Sequence, residues 1–328
     1  MNIVFLHHKL QTAINFLLAV CVFVSCSKSS TGIVKLEPTN TIKAFSDTIY
    51  LSSQVSNLTY TDGKYYLSDY YKGIVSFKES FDSFRIEQVN AFLTLMPQCY
   101  MFATSGKNDI YIYDVDNRLF LNVQDTSLSQ KIESGRHEVS SASRFVLNGD
   151  SILCPITKNK MTIAIFHNGK TSGTCCPTIN GVDDVRKPYH SERIIIRDEE
   201  HYYTIGKGIP IVQMFSQNLE LLSSYNLKEI EEIAKTVEQE KSDKPNSYFV
   251  VVQDACVANG KLFLLISSKN NNKYRCNNVV TLKTANNTIE FDEIYELKGD
   301  VYSTLCVNGK GQIVIVNAKT ASVEVYEL

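Results

Sequence analysis

Asp62-Gly63-Lys64-Tyr65-Tyr66-Leu67 places a turn pair directly before an aromatic, apolar run. Asp-Gly supplies the positive φ angles that a tight hairpin requires, so the stretch reads as the corner between two strands. The same arrangement recurs. Ser105-Gly106 precedes Ile110-Tyr111-Ile112-Tyr113, Asn148-Gly149 precedes Ile152-Leu153-Cys154, Asn259-Gly260 precedes residues 262–266, and Asn308-Gly309 precedes residues 313–316. Asp198-Glu199 holds the same place without glycine, ahead of Tyr202-Tyr203-Thr204-Ile205. Steps between successive turns are 43, 43, 50, 61 and 49 residues, a period that signals stacked supersecondary units.

Each unit continues past its second strand. Third strands follow at Ile74-Val75-Ser76-Phe77, Leu119-Phe120-Leu121 and Val323-Glu324-Val325-Tyr326. More polar fourth strands follow at Phe84-Arg85-Ile86-Glu87 and Ile289-Glu290-Phe291-Asp292. Apolar inner strands with polar outer ones are what four-stranded blades need when they stack face to face. The long step of 61 residues has a local cause. Asn226 with Glu229 forms a capping box, and Leu227, Ile230, Ile233, Ala234 and Val237 follow at helical spacing. Glu231 and Lys235 add an i,i+4 pair, and Pro245 closes the segment, so one helix is expected over about 227–241.

The last unit has three strands and ends at Leu328, while residues 42–51 hold a spare strand before the first unit. Pairing that spare strand outside the last blade removes the exposed edges. The expectation is an all-β, six-bladed β-propeller over residues 41–328, closed three-plus-one by its N-terminal strand.

Residues 1–25 read as an export signal. His7, His8 and Lys9 precede the apolar run 13–24, which is too short for a membrane span of about 20 residues. Ser25-Cys26 ends the run as a lipoprotein signal does, with Phe23 departing from the usual Leu. Cys26 is the expected lipid attachment, and residues 26–40 are the expected tether, polar at Ser27-Lys28-Ser29-Ser30-Thr31-Gly32. Localisation follows as an outer-membrane lipoprotein, with the periplasmic or surface face undecided.

The formal net charge of −2 supplies no basic footprint for nucleic acid. Eighteen Tyr, sixteen Phe and no Trp suit a chain rich in strands. Seven cysteines follow Cys26, an odd number at irregular spacing, which is no disulfide framework. Cys175-Cys176 is the close pair among them, and the set reads mostly as buried thiols.

With the Ser25-Cys26 motif, the six turn-plus-strand units and the spare strand near Ile49, the chain resembles the TolB-like six-bladed β-propeller lipoproteins of Bacteroidetes. That resemblance implies an architecture and a cell-envelope location, and it carries no reaction.

Signatures of catalysis are sparse: no Gly-x-Ser-x-Gly elbow, phosphate-binding loop or His-Glu-x-x-His motif occurs, and no cofactor or metal site is expected. The most suggestive stretch, residues 183–193, ends in His190-Ser191-Glu192-Arg193 and leads into the inner strand Ile194-Ile195-Ile196. In a propeller such loops surround one mouth of the channel. His190, Glu192 and Arg193, with Arg144 as a neighbour from the preceding blade, suit an anionic sugar or acid/base work. Tyr70, Tyr71 and Tyr274 lie where second and third strands connect, on the same rim, and suit stacking on a sugar or peptide. A non-catalytic binding or scaffold role toward a glycan, peptide or envelope protein is the favoured expectation. A carbohydrate-active hydrolase or lyase at the channel mouth is the alternative.

Overall fold

A computed structural model describes residues 32–43, 51–52, 54–69, 71–81, 84–87, 101–104, 110–114, 118–122, 130–131, 138–139, 144–157, 160–179, 192–243, 248–270 and 273–328. Their strands form six sheets, each containing one of the six turn-plus-strand units.

The first sheet runs Val55–Thr61, Lys64–Asp69, Gly73–Lys78 and Phe84–Glu87. The second holds Met101–Thr104, Ile110–Asp114, Leu119–Asn122 and Gln130–Lys131. In the third, Val146–Asn148 and Glu138–Val139 both pair with Ser151–Thr157, followed by Met161–His167 and Lys170–Pro177. The fourth is Arg193–Arg197, Tyr202–Gly206, Ile211–Phe215 and Leu221–Asn226. The fifth is Val252–Ala258, Lys261–Asn270, Lys273–Ala285 and Thr288–Leu297, and the sixth Tyr302–Val307, Ile313–Asn317 and Ser322–Tyr326.

The sheets stack in cyclic order. The first strand of each touches the first strand of the next, and Tyr302–Val307 returns to touch Val55–Thr61. Apolar side chains fill every gap. Tyr66 and Ile74 meet Ile112 between the first two sheets, and Phe120 meets Phe145 and Phe166 between the second and third. Cys306, Val314 and Val316 of the sixth sheet pack on Leu58, Tyr65 and Leu67 of the first. This explains why Ile313–Asn317 is buried at every residue while the outer strand Leu221–Asn226 is largely exposed. Each fully buried Val, Leu, Ile or Phe contributes roughly 1.5–3 kcal/mol to holding neighbouring sheets together. The architecture is an all-β propeller with one helix among the described residues.

Turn chemistry follows the sequence reading at Asp62-Gly63 and Asn259-Gly260, where both residues of each pair have positive φ. Asp198 replaces glycine by other means: its Oδ1 accepts from the backbone N–H of Glu200 and His201. Asn308-Gly309 is a wider loop than expected, with Asn308 Oδ1 accepting from Lys310 and Gln312 and the positive φ displaced to Gly311. Ser105-Gly106 lies outside the described residues.

Three boundaries differ from expectation. The side chain of Asn226 caps a 3₁₀ turn, Leu227–Glu229, and Ile230 is extended. The α-helix α1 then begins at Glu231 and runs to Asp243, because the Asn226 cap serves the 3₁₀ turn and the extended Ile230 separates it from the helix; Leu227, Ile230, Ile233 and Val237 are all buried in the gap between the fourth and fifth sheets. The strand outside the sixth sheet is Asn40–Ile42, antiparallel to Ser322–Tyr326 with Asn40 opposite Val325; Ile49 is outside the described residues. Part of the expected tether is also ordered: Ile33–Leu36 lies parallel on Thr288–Leu297, with Ile33 opposite Ile294.

Candidate binding site between the fourth and fifth sheets

The turn Gly206-Lys207-Gly208-Ile209-Pro210 joins the second and third strands of the fourth sheet. It is too tight for side chains at its glycines. A Cβ on Gly206 would lie 2.1 Å from the Ile209 carbonyl oxygen, and one on Gly208 would lie 2.7 Å from the Tyr248 ring. The Lys207 N–H donates to the Glu192 carbonyl, and the Lys207 carbonyl accepts from Val251 and Val252, tying the turn to the fifth sheet.

Side chains gather around this knot. The Tyr248 hydroxyl donates to Glu192 Oε2 at 3.1 Å. Burial holds the Lys207 ammonium below the usual lysine range, while attraction to Glu192 and Asp254 offsets part of that effect. Burial, then the charge of Glu192, pushes the Tyr248 hydroxyl up, so it stays a donor.

Tyr248 also forms one wall of a cleft of about 380 Å³ whose lining includes Glu240, Phe249, Tyr274, Arg275 and Val301. Within that lining the Glu240 carboxylate is fixed from two sides: Lys269 Nζ, itself enclosed, lies 3.1 Å from Glu240 Oε2, and the Tyr274 hydroxyl donates to the same oxygen. The Phe249 and Tyr274 rings are 5.7 Å apart, and Lys269 Nζ lies 5.2 Å from the Tyr274 ring centroid. Tyr274 nonetheless keeps 41% of its surface exposed. At the outer lip, Asp300 gathers Lys319, Lys273 and Arg275 at 3.2, 3.4 and 3.6 Å, and Lys319 and Lys273 hold its carboxyl below the usual carboxylate range.

The structure brings Glu192, Arg193 and Tyr274 to this region and separates other expected site residues from it. Arg193 is enclosed, with one guanidinium nitrogen 3.4 Å from the Glu192 carbonyl. Arg144 lies inside the channel instead of at its rim, where it bonds Asp254 and the carbonyls of Leu58 and Leu305. It also lines a channel cavity of about 150 Å³ with Tyr60, Arg197, Cys256 and Cys306. Tyr71 is exposed in the turn of the first sheet, where Asp69 Oδ1 accepts its N–H, and the first and fifth sheets are not neighbours in the ring. His190, Tyr70 and Cys26 lie outside the described residues. Sequence reading missed Glu240, Tyr248, Phe249 and Lys269; the usable signal was an aromatic pair, Tyr248-Phe249, directly after the only predicted helix.

No family model matches the chain, and no curated protein matches it. Solved structures do. A streptogramin B lyase structure aligns with TM-score 0.52 at 11% identity, over 88% of this chain and 98% of that one. A chain of a mitotic checkpoint complex aligns with TM-score 0.52 at 5% identity, over 92% and 94%. The WD40 propeller domain of Doa1 aligns with TM-score 0.48 at 10% identity, over 89% and 97%. The chain has a β-propeller fold. Identities this low speak to the fold alone.

Proposed function

We propose that the protein is an exported, lipid-anchored propeller of six blades, closed three-plus-one, that binds a glycan or peptide without transforming it. The observation that carries this reading is the cleft of Tyr248, Phe249 and Tyr274: aromatic surface lines it beside the Glu240 carboxylate, which Lys269 holds in place. Aromatic faces suit sugar rings or apolar side chains, and the fixed Glu240 carboxylate orients what stacks on them. Propellers commonly serve as binding platforms, which agrees with this role. Six sheets in cyclic contact support the blade count.

The test is titration of the full chain against oligosaccharide and peptide panels. Tyr274→Ala should weaken the ligand found by about tenfold, equivalent to about 1.4 kcal/mol. Affinity unchanged by Tyr274→Ala and by Phe249→Ala would remove the cleft from the reading. Lipid attachment is tested by labelling cells with palmitate, which Cys26→Ala should abolish.

One observation favours a hydrolase or lyase as second reading: Tyr248 and Glu192 are hydrogen-bonded beside the buried Lys207, a set able to move protons. Polysaccharide cleavage by the pure protein, lost in Glu192→Gln, would replace binding with catalysis.

A further inference from the structure

Cys175 and Cys176 are adjacent in Lys170–Pro177, the outer strand of the third sheet. In a regular strand successive side chains point to opposite faces, which keeps neighbouring sulfurs apart. Here the pairing is regular at Ile163 opposite Cys175 and at Met161 opposite Pro177, but Cys176 between them adopts φ +58°. That left-handed conformation is uncommon for a residue with a side chain and costs of order 1–3 kcal/mol. Its carbonyl is held by the Thr162 hydroxyl at 2.7 Å. The result is that both sulfurs lie on one side, 3.6 Å apart.

We propose that Cys175 and Cys176 are a vicinal redox pair that closes to a disulfide by exchange with a disulfide-bearing oxidant. Cys175 is the attacking sulfur. It is partly exposed, whereas Cys176 is buried, and the Cys176 S–H donates to it, holding the Cys175 thiol below its usual value. The Cys175 thiolate attacks one sulfur of the oxidant, forming a mixed disulfide and releasing the other as a thiol. The hydrogen bond to Cys175 and burial push the Cys176 thiol up, so it reacts second: once Cys175 is held in the mixed disulfide, Cys176 gives up its proton, attacks Cys175 and releases the second thiol. Two thiols of this chain are oxidised, one oxidant disulfide is reduced to two thiols, and the two protons leave on them.

The remaining described cysteines do not share these features. Cys154, Cys256, Cys276 and Cys306 are free, and burial pushes all four thiols up, Cys256 and Cys276 to about 12. Adjacent α-carbons are about 3.8 Å apart, shorter than the usual span across a disulfide, so the closed ring is strained and easily reduced. This makes the pair a reversible site and not a structural staple.

The experiment equilibrates the native full chain with oxidised glutathione, alkylates free thiols and digests with trypsin. Residues 171–186 form one peptide that contains these two cysteines alone. The expected product is that peptide lighter by two hydrogens with both alkylation sites lost, and mild reduction restores them. Cys175→Ser and Cys176→Ser should each abolish it. Full alkylation of both cysteines, a glutathione adduct that persists on Cys175, or a bridge from either sulfur to another cysteine would overturn the proposal. So would equally fast closure in the urea-unfolded chain, because the fold would then contribute nothing.

Discussion

Arg144 and Asp254, 110 residues apart in the chain, meet inside the channel through two hydrogen bonds of 2.8 and 2.7 Å. The pair links four sheets. Asp254 Oδ2 also accepts from the Thr304 hydroxyl and the Leu305 N–H, and the Leu58 N–H donates to Thr304 Oγ1. Asp254 outweighs burial at Arg144 and raises its pKa, so the guanidinium stays charged.

Removing one partner leaves the other charge buried and alone. Asp254→Ala should cost roughly 3–5 kcal/mol in urea unfolding, near the upper end for single substitutions. Arg144→Met combined with Asp254→Leu should cost less than the two single variants summed. Full additivity would mean that the pair is not a unit.

The two glycines of the fourth-sheet turn should separate fold from site. Gly206→Ala sets a Cβ against a backbone oxygen that cannot swing away and should destabilise by about 1–3 kcal/mol. Gly208→Ala comes within 2.7 Å of the Tyr248 ring, a side chain that can give way, while the Phe249 carbonyl oxygen stays at an ordinary 3.4 Å. We expect near-native melting for Gly208→Ala with weakened ligand binding, read by calorimetry and titration.

Alkaline pH should destabilise the protein from about pH 10 upward. Tyr65, Tyr203, Tyr302 and Tyr326 are all raised from 10.0, chiefly by burial. Above pH 10 the unfolded chain loses tyrosine protons that the folded chain keeps, so stability is complete below that pH and falls as pH rises. Tyr326 and Tyr302 both donate to Glu324, and Tyr326→Phe should flatten the slope of urea midpoint against pH between 9 and 11. An unchanged slope would exclude Tyr326 as a contributor.

Deleting residues 1–42 should lower the melting temperature and promote aggregation, since Thr288–Leu297 loses Ile33–Leu36 and Ser322–Tyr326 loses Asn40–Ile42, leaving two open edges. Deleting residues 1–38, which keeps Asn40–Ile42 on Ser322–Tyr326, should lower it less. Light scattering during the melt distinguishes the two.

The second strands were legible because their signal is local. Asp62-Gly63 sets its own φ angles, and Tyr65-Tyr66-Leu67 needs only the window around it to read as a strand. The helix was legible in type but not in its start, because Leu227 and Ile230 answer to the gap they fill before they answer to helical spacing. Arg144 illustrates the limit at the site. A lone arginine before an inner strand reads as a rim residue, and nothing near it in sequence announces Asp254.

By itself, then, the sequence determined the repeating turn-and-strand unit, the inserted helix and the apolar inner strands, all of which follow from backbone preferences and side-chain alternation within a few residues. Tertiary structure decided which charges were enclosed and which aromatics met. Tyr248 reaches Glu192 across 56 residues, and Glu240 reaches Tyr274 across 34, only because stacking of the fourth and fifth sheets with α1 brings those segments together. Contacts of that span are set by which sheets become neighbours when the chain closes on itself, and no short stretch of sequence encodes that.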